Sequence, residues 1–255
     1  MAVKTIWQEE FTVKSSETDF QRRLKISNFF TWMQDTASNH ARHLGLGYHE
    51  LLKRELAWIL SRKKVRFFDF PQMDEKVVVQ TWPKGIQQKL FFMRDHQMNG
   101  ADGRLLALAT TAYVLVSTRA RRILPWTALD LPIPDNDGKS AIAEALEKIP
   151  PASDVLSECY TLQAGYSTID LMGHVNNVRY IDWISDCFPI HEYEDRRPSW
   201  LQINYVNEIK PDEKVNLLRA PYPDNPNRWY ITGMNQSSGA KAFEAAIEWH
   251  DGQSQ

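Results

Sequence analysis

The sequence predicts an α+β protein made of two similar units, each a long helix packed against an antiparallel sheet. Two observations support this prediction: a helix-like apolar pattern followed by strand-like runs occurs twice, and the two occurrences share residues in phase. A shift of 151 positions places Asp19 on Asp170 and Trp32 on Trp183. The apolar positions of the helix coincide under the same shift, which indicates duplication of one unit.

The elements of the first unit follow from periodicity and turn residues. A helix is predicted from about Ser27 to His43, with Ser27 or Asn28 as its N-cap and Gly45 near its end. The sequence MNGADG at 98–103 marks a hairpin between two later strands. Runs rich in β-branched and aromatic residues predict strands at 57–67, 75–82, 88–98 and 104–120.

The second unit repeats this plan. A helix follows His174, capped by Asn176 or Asn177, and its predicted buried stripe is Tyr180, Trp183, Ile184 and Cys187. The tetrapeptide Asp-Glu-Lys-Val opens a strand-like run here at 212–215, as it does at 74–77 in the first unit. The predicted strands cover 199–209, 213–220, 228–236 and 241–250, with a hairpin at 237–239.

The predicted domain organisation is an N-terminal unit at 1–130, a linker at 131–155 and a C-terminal unit at 156–255. The linker is rich in proline and aspartate, and a short helix is predicted within it at 142–148.

Composition limits the classes of function. The 255 residues are 43% hydrophobic and 24% charged, with a formal net charge of -2, which argues against a dedicated nucleic-acid binder. No run is apolar for long enough to span a bilayer, and we expect a cytoplasmic protein.

Cys159 and Cys187 form no disulfide framework. No metal site or cofactor is expected, because His49 lacks the second histidine of an HExxH motif and no Gly-rich phosphate loop occurs.

A polar segment precedes the second helix, and capping explains only part of it. Asp170 and His174 form a titratable pair on a short irregular segment near the positive end of a helix dipole. An anion or a polarised carbonyl would be favoured at such a position. The segment is therefore a candidate site.

The segment DLMGHVNNVRYIDWISD at 170–186 resembles the active-site segment of the acyl-acyl carrier protein (acyl-ACP) thioesterases, and the whole chain resembles this family. The resemblance implies two hotdog folds in tandem, each a long central helix wrapped by an antiparallel sheet. It also implies that Asp170, His174 and Glu208 are catalytic. The implied reaction is hydrolysis of acyl-ACP to free fatty acid and carrier protein, without a cofactor.

Two residues depart from the family pattern. Met172 replaces the usual asparagine, so a substrate-binding role at this position is left to the backbone. Ile209 replaces the cysteine that many members have after the glutamate, which weakens a covalent mechanism. Whether His174 or Glu208 is the base stays open at this point, since histidine titrates near neutral pH but neighbouring groups titrate as a set.

The repeat also predicts an asymmetry between the units. Arg23 occupies the place of His174 in the first unit, and arginine cannot act as a base near neutral pH. One competent site is therefore expected, in the second unit. The first unit is expected to supply much of the acyl pocket, or simply a core, from one helix face: Phe29, Trp32, Met33 and Thr36.

The resemblance further implies an acidic carrier protein that bears the acyl chain on a phosphopantetheine arm. Two basic runs are candidates for docking it. Lys63, Lys64 and Arg66 lie on one strand, and Arg119, Arg121 and Arg122 follow another.

Three alternatives stay open: an acyl-CoA thioesterase, a hydroxyacyl dehydratase, and a non-catalytic acyl-carrier-binding module. The sequence leaves open whether the chain forms a homodimer.

Overall fold

The computed structural model describes residues 4–134, 136, 138–153 and 155–250. Its contacts divide the chain into an N-terminal unit, Met1–Leu146, and a C-terminal unit, Glu147–Gln255. The boundary lies within the predicted linker segment. Among the described residues, none of the helices combines the length and the hydrophobicity of a membrane-spanning segment.

The N-terminal unit combines one long helix with an antiparallel sheet. The sheet order is β1-β3-β4-β5-β2, with the short strand β6 paired to β5. The elements are β1 Trp7–Thr12, α1 Ile26–His43, α2 Tyr48–Leu52, β2 Leu56–Phe67, β3 Lys76–Gln87, β4 Phe91–Gly100, β5 Leu105–Ser117 and β6 Arg122–Leu124.

Helix α1 packs on the inner face of this sheet. Phe29 lies fully buried, and its ring meets the rings of Phe67 and Phe70 edge-on at centroid distances of 5.2 Å. Trp32 stacks on Phe11 of β1 at 4.9 Å. Burial of these aromatic rings, from α1 and from the residues it packs against, stabilises the packing of the helix on the sheet.

The C-terminal unit has the same strand order with a shorter helix. Its order is β7-β9-β10-β11-β8, so each unit follows the pattern first-third-fourth-fifth-second. The elements are β7 Ser157–Gln163, α3 Arg179–Asp186, α4 Glu192–Asp195, β8 Pro198–Tyr205, β9 Lys214–Tyr222, β10 Asn225–Asn235 and β11 Lys241–Trp249. Pro189 lies three residues beyond α3, where it prevents the helix from continuing.

The predicted buried stripe of the second helix is confirmed. Tyr180, Trp183, Ile184 and Cys187 are at most 7% exposed. Tyr180 packs edge-on against Tyr205 of β8 and Phe243 of β11, at 5.4 and 5.3 Å. The helical spacing in the sequence therefore identified the face that contacts the sheet.

The predicted helix at 142–148 is wrong, since these residues are not helical. The described part of this segment before Glu147 lies on the outer face of the N-terminal sheet, with Ile142 and Leu146 buried. Its backbone bonds to strand side chains: Lys84 donates to the Ile142 carbonyl, and Asp95 accepts from the Ala141 N–H at 2.6 Å. These contacts satisfy the backbone groups that a helix would have paired internally.

Candidate active site

Asp170 organises the turn that carries His174. Its carboxylate accepts a hydrogen bond from the Met172 N–H at 2.8 Å, and its own N–H donates to the His174 carbonyl at 2.9 Å. Gly173 completes the turn with a φ of 79°, a left-handed conformation that glycine adopts readily. We call residues 170–174 the active-site turn. Asp170 shapes this turn, and among the described residues its carboxylate makes no hydrogen bond to the His174 ring.

His174 and Glu208 face each other across the turn. The His174 Nε2 lies 3.0 Å from a Glu208 carboxylate oxygen, and the two side chains are 28% and 48% exposed. The Val175 N–H donates to the Ile209 carbonyl at 2.9 Å, so a backbone bond one residue further along sets this pairing. The pair is therefore accessible to solvent.

Two tyrosines support the segments that meet here, and the sequence reasoning did not single them out for this role. The Tyr180 hydroxyl lies against the backbone of Ile209, and burial raises its pKa. Tyr205 donates its hydroxyl proton to the Asn177 carbonyl at 3.0 Å. Tyr180 was identified only as a buried helix residue, because nothing in the helical spacing reveals the partner of its hydroxyl.

The start of α3 differs from the predicted cap. The N-cap is Val178, and the Asn176 carboxamide accepts from the Val178 N–H at 2.9 Å before the helix begins. The Arg179 N–H donates to the Asn176 carbonyl at 2.9 Å. The Asn177 N–H has no hydrogen-bond partner among the described residues. In α1 the predicted cap is also wrong, since the N-cap is Lys25.

The N-terminal unit contains the same kind of turn without a histidine–glutamate pair. The Asp19 carboxylate accepts from the N–H groups of Gln21 and Arg23 at 2.8 and 2.9 Å. Arg22 has a φ of 66° at the place of Gly173. Arg23 forms an ion pair with Asp19 at 3.0 Å and is 5% exposed. The arginine in the place of His174 is thus held by the aspartate of its own turn.

The counterpart of Glu208 is Phe70. The Leu24 N–H donates to the Pro71 carbonyl at 2.9 Å, just as the Val175 N–H donates to that of Ile209. This bond aligns Pro71 with Ile209, and therefore Phe70 with Glu208. Phe70 is 7% exposed and packs in the aromatic core. Neither member of the His174–Glu208 pair has a proton-transfer equivalent in the N-terminal unit.

The other predicted site residues divide by burial. Met172 is 40% exposed, and its N–H is already bound to Asp170, so of its two backbone polar groups the carbonyl is the one left for a hydrogen bond to a ligand. The predicted pocket residues are at most 3% exposed, and all lie on α1: Phe29, Trp32, Met33 and Thr36.

The predicted docking residues also differ in burial. Arg119, Arg121 and Arg122 are exposed. Lys63 is 4% exposed, so its assignment to a surface docking patch is wrong. Alternation along β2 turns it inward, toward α1.

Two family models match the chain. The acyl-ACP thioesterase N-terminal domain matches residues 4–127, and the acyl-ACP thioesterase C-terminal domain matches residues 154–251. The chain belongs to the acyl-ACP thioesterase family. This membership confirms the resemblance of the whole chain to the family.

Plant members of the acyl-ACP thioesterase family are similar over most of this chain. A palmitoyl-acyl carrier protein thioesterase of Gossypium hirsutum is 27% identical over 270 residues, covering 96% of this chain and 63% of the relative. Oleoyl-acyl carrier protein thioesterase 2 of Arabidopsis thaliana is 24% identical over 259 residues, covering 93% and 69%. This chain therefore spans less than two thirds of the Gossypium protein.

Solved structures of the family share the fold. An acyl-ACP thioesterase from Bacteroides thetaiotaomicron superposes with a TM-score of 0.85 at 24% identity, covering 96% of this chain and 98% of that one. A 12:0-ACP thioesterase from Umbellularia californica gives a TM-score of 0.77 at 22% identity, covering 97% and 98%.

Proposed function

We propose that this family member hydrolyses the thioester of an acyl-ACP to a free fatty acid and the carrier protein. The observation that carries the proposal is the half-exposed His174–Glu208 pair, 3.0 Å apart on a turn built by Asp170. Family membership favours this reaction over the dehydratase and binding-module alternatives. We also infer that the two units are tandem hotdog folds, supported by their identical strand order and by the recurring aspartate turn.

In the proposed mechanism, His174 is the general base. Its Nε2 lies beside Glu208 and keeps a proton there, while its Nδ1 has no partner among the described residues. Nδ1 takes a proton from water as the water oxygen attacks the thioester carbonyl carbon. The carbon–sulfur bond then breaks, and the protonated ring returns the proton to the departing thiolate. Glu208 stabilises the ring while it is positively charged, as the orienting acid does in a catalytic triad.

The carbonyl oxygen becomes negative during this attack and needs a donor. The Asn177 N–H is the proposed donor, because the neighbouring Val178 and Arg179 N–H groups are already bound to Asn176. Asn177 lies three residues after His174, just before the positive end of α3. The Tyr205 hydroxyl donates to the Asn177 carbonyl and holds the next peptide, between Asn177 and Val178, in place.

Binding of the acyl chain and of the carrier is assigned to the N-terminal unit. We propose that the buried face of α1 contributes to acyl-chain selection through Trp32, Met33 and Thr36. The exposed cluster Arg119, Arg121 and Arg122 is the proposed docking patch for the acidic carrier protein, since unlike charges accelerate encounter.

The decisive experiment offers the purified chain a series of acyl groups on carrier protein and on CoA, with free thiol and free acid both measured. We expect hydrolysis of the carrier thioester with equal yields of thiol and acid. His174→Ala and Glu208→Ala should each lower turnover ~100-fold or more through lost proton transfer. His191→Ala, an exposed histidine of the same unit, is the matched control and should retain wild-type turnover.

Other outcomes would contradict parts of this proposal. Hydrolysis of acyl-CoA alone would reassign the substrate, and binding without release of acid would favour a carrier-binding module. Arg23→Ala should keep most of its turnover per folded molecule, with folding checked because this substitution leaves the partly buried Asp19 carboxylate without its ion-pair partner. Loss in that variant as large as in His174→Ala would show that the assignment of a single site is wrong.

A further inference from the structure

The face of the N-terminal sheet that packs on α1 carries a buried polar group that the proposed mechanism does not use. Lys63 of β2 and Arg94 of β4 both lie opposite Thr111 of β5 in the strand register, so the three side chains form a row. His96 lies two residues after Arg94 and therefore shares the face. We call these four residues the helix-facing polar cluster: Lys63, Arg94, His96 and Thr111.

Contacts to α1 establish which way the cluster faces. The Lys63 Nζ lies 4.9 Å from the centroid of the Phe30 ring, and the Arg94 guanidinium lies 3.0 Å from the Nδ1 of His40. Phe30 and His40 both belong to α1. The cluster therefore lies beneath the same helix face that carries the proposed acyl-selecting residues.

The cluster is buried with polar atoms unpartnered. Thr111 is 1% exposed, and within the described chain its hydroxyl has no hydrogen-bond partner. His96 is fully buried, and its ring lies against the backbone of Met33 of α1. Lys63 is 4% exposed and forms no salt bridge to a described residue. Leaving buried polar atoms unpaired is costly, so the site favours a ligand that would satisfy them.

The charge on this face is positive, and no ion pair with a described residue neutralises it. Within the described chain, Arg94 bonds to two neutral partners, His40 and the Thr81 hydroxyl. The nearest acid in sequence, Asp95, points to the opposite face, where Lys84 pairs with it at 3.3 Å. Burial lowers the pKa of Lys63 to about 7 and that of Arg94 to about 10. An anion in the cluster would stabilise both charges.

The surroundings suit an aliphatic chain. On the same face of β5, Ala107 and Ala109 precede Thr111, and both are fully buried. The register places Ala109 opposite His96 of β4 and opposite Val65 of β2, which is also fully buried. The polar cluster thus lies at the end of an apolar strip.

We propose that the helix-facing polar cluster binds the carboxylate of an aliphatic acid, with the hydrocarbon chain along the small residues of β5. Such a carboxylate has two sources. It is the head group of a free fatty acid, or it is the far end of an acyl chain whose other end is the thioester. Only the second source rests on the proposed thioesterase function.

The first experiment measures binding of decanoate and of 1-decanol to the purified, lipid-free chain by calorimetry. We expect one decanoate per chain and at least ~10-fold weaker binding of the alcohol, because a charge-assisted bond is lost. Lys63→Met should weaken decanoate binding ~10-fold or more, and Thr111→Val by a smaller factor. Lys76→Met removes the same charge from an exposed position of β3 and should leave binding unchanged.

The second experiment distinguishes the sources by comparing kcat/KM for decanoyl and ω-carboxydecanoyl thioesters of a small soluble thiol. A preference for the ω-carboxy chain that Lys63→Met abolishes identifies the acyl chain as the source. Decanoate binding without such a preference identifies the free acid.

The proposal is overturned if decanoate does not bind, or if it binds equally well to wild type and Lys63→Met. Either result would mean that the cluster binds water rather than a carboxylate. Absence of hydrolysis of the unsubstituted thioester would contradict the proposed function alone, since the binding experiment still decides the site.

Discussion

Replacing Lys63 with methionine removes a buried positive charge from the helix-facing polar cluster while keeping an unbranched side chain of similar length. The folded pKa of Lys63 is about 7, against an ordinary value of 10.5. Below pH 7 the lysine is charged in both the folded and the unfolded chain, and the folded state bears the whole cost of burying that charge. Because each pKa unit is worth ~1.36 kcal/mol, this cost is about 4 kcal/mol at pH 7.

The sign of the pH dependence follows from proton binding. Between pH 7 and 10.5 the folded chain has lost the proton that the unfolded chain still holds, so the stability of the wild type rises with pH. The slope from this one group is roughly 1.4 kcal/mol per pH unit. Lys63→Met lacks this titration. The variant should therefore be more stable than the wild type near pH 7, and its advantage should shrink steadily up to pH 10.

Urea unfolding of the lipid-free chain, followed by tryptophan fluorescence at several pH values from 7 to 10, measures this difference. Subtracting the wild-type curve removes the contributions of other titrating groups. Lys76→Met, at an exposed position, should give a difference near zero at every pH. A stability difference between Lys63→Met and wild type that does not change with pH would refute the reasoning, because it would mean that Lys63 keeps its proton in the fold. Added decanoate should flatten the dependence, since a bound carboxylate raises the pKa of Lys63.

Three further predictions concern the proposed function and the turn. Reversing the charges of Arg121 and Arg122 together should raise KM for acyl-ACP, more at low salt, and leave the hydrolysis of a short soluble thioester unchanged. Equal losses of activity on both substrates would indicate damage to the fold. Met33→Ala should change the preferred acyl chain length, because a hydrophobic pocket discriminates by ~1–3 kcal/mol per methylene; an unchanged chain-length profile would place the pocket elsewhere. Gly173→Val should destabilise the protein by ~1–3 kcal/mol in thermal unfolding, because a β-branched residue strains a left-handed backbone position. Gly173→Asn should be less destabilising, since the non-glycine residue Arg22 holds the equivalent conformation in the N-terminal unit. Equal destabilisation by both substitutions would argue against backbone strain.

Local patterns in the sequence were sufficient for much of the fold. The spacing of Phe29, Met33 and Thr36 identified the buried face of α1, and all three are fully buried. The turn residues at 98–103 and 237–239 marked the β4–β5 and β10–β11 connections, because hairpin geometry is set by a few neighbouring residues. The strands β1 and β7 were missed. In β1 the six residues Trp7–Thr12 alternate between partly buried and exposed side chains, a weak signal without a bounding turn.

The amino-acid sequence was sufficient to identify the family, the repeat and the segment that carries Asp170 and His174, because each is a pattern of residue types that can be recognised without knowing any contact. The folded structure was needed to establish which distant groups meet. It brought Glu208 to 3.0 Å from His174, aligned Phe70 with Glu208 in the N-terminal unit, and turned Lys63 inward beneath α1. These outcomes depend on strand register and on the face each strand presents, and a shift of one residue would reverse that face. Register is set by pairing between segments far apart in sequence, which no local pattern encodes.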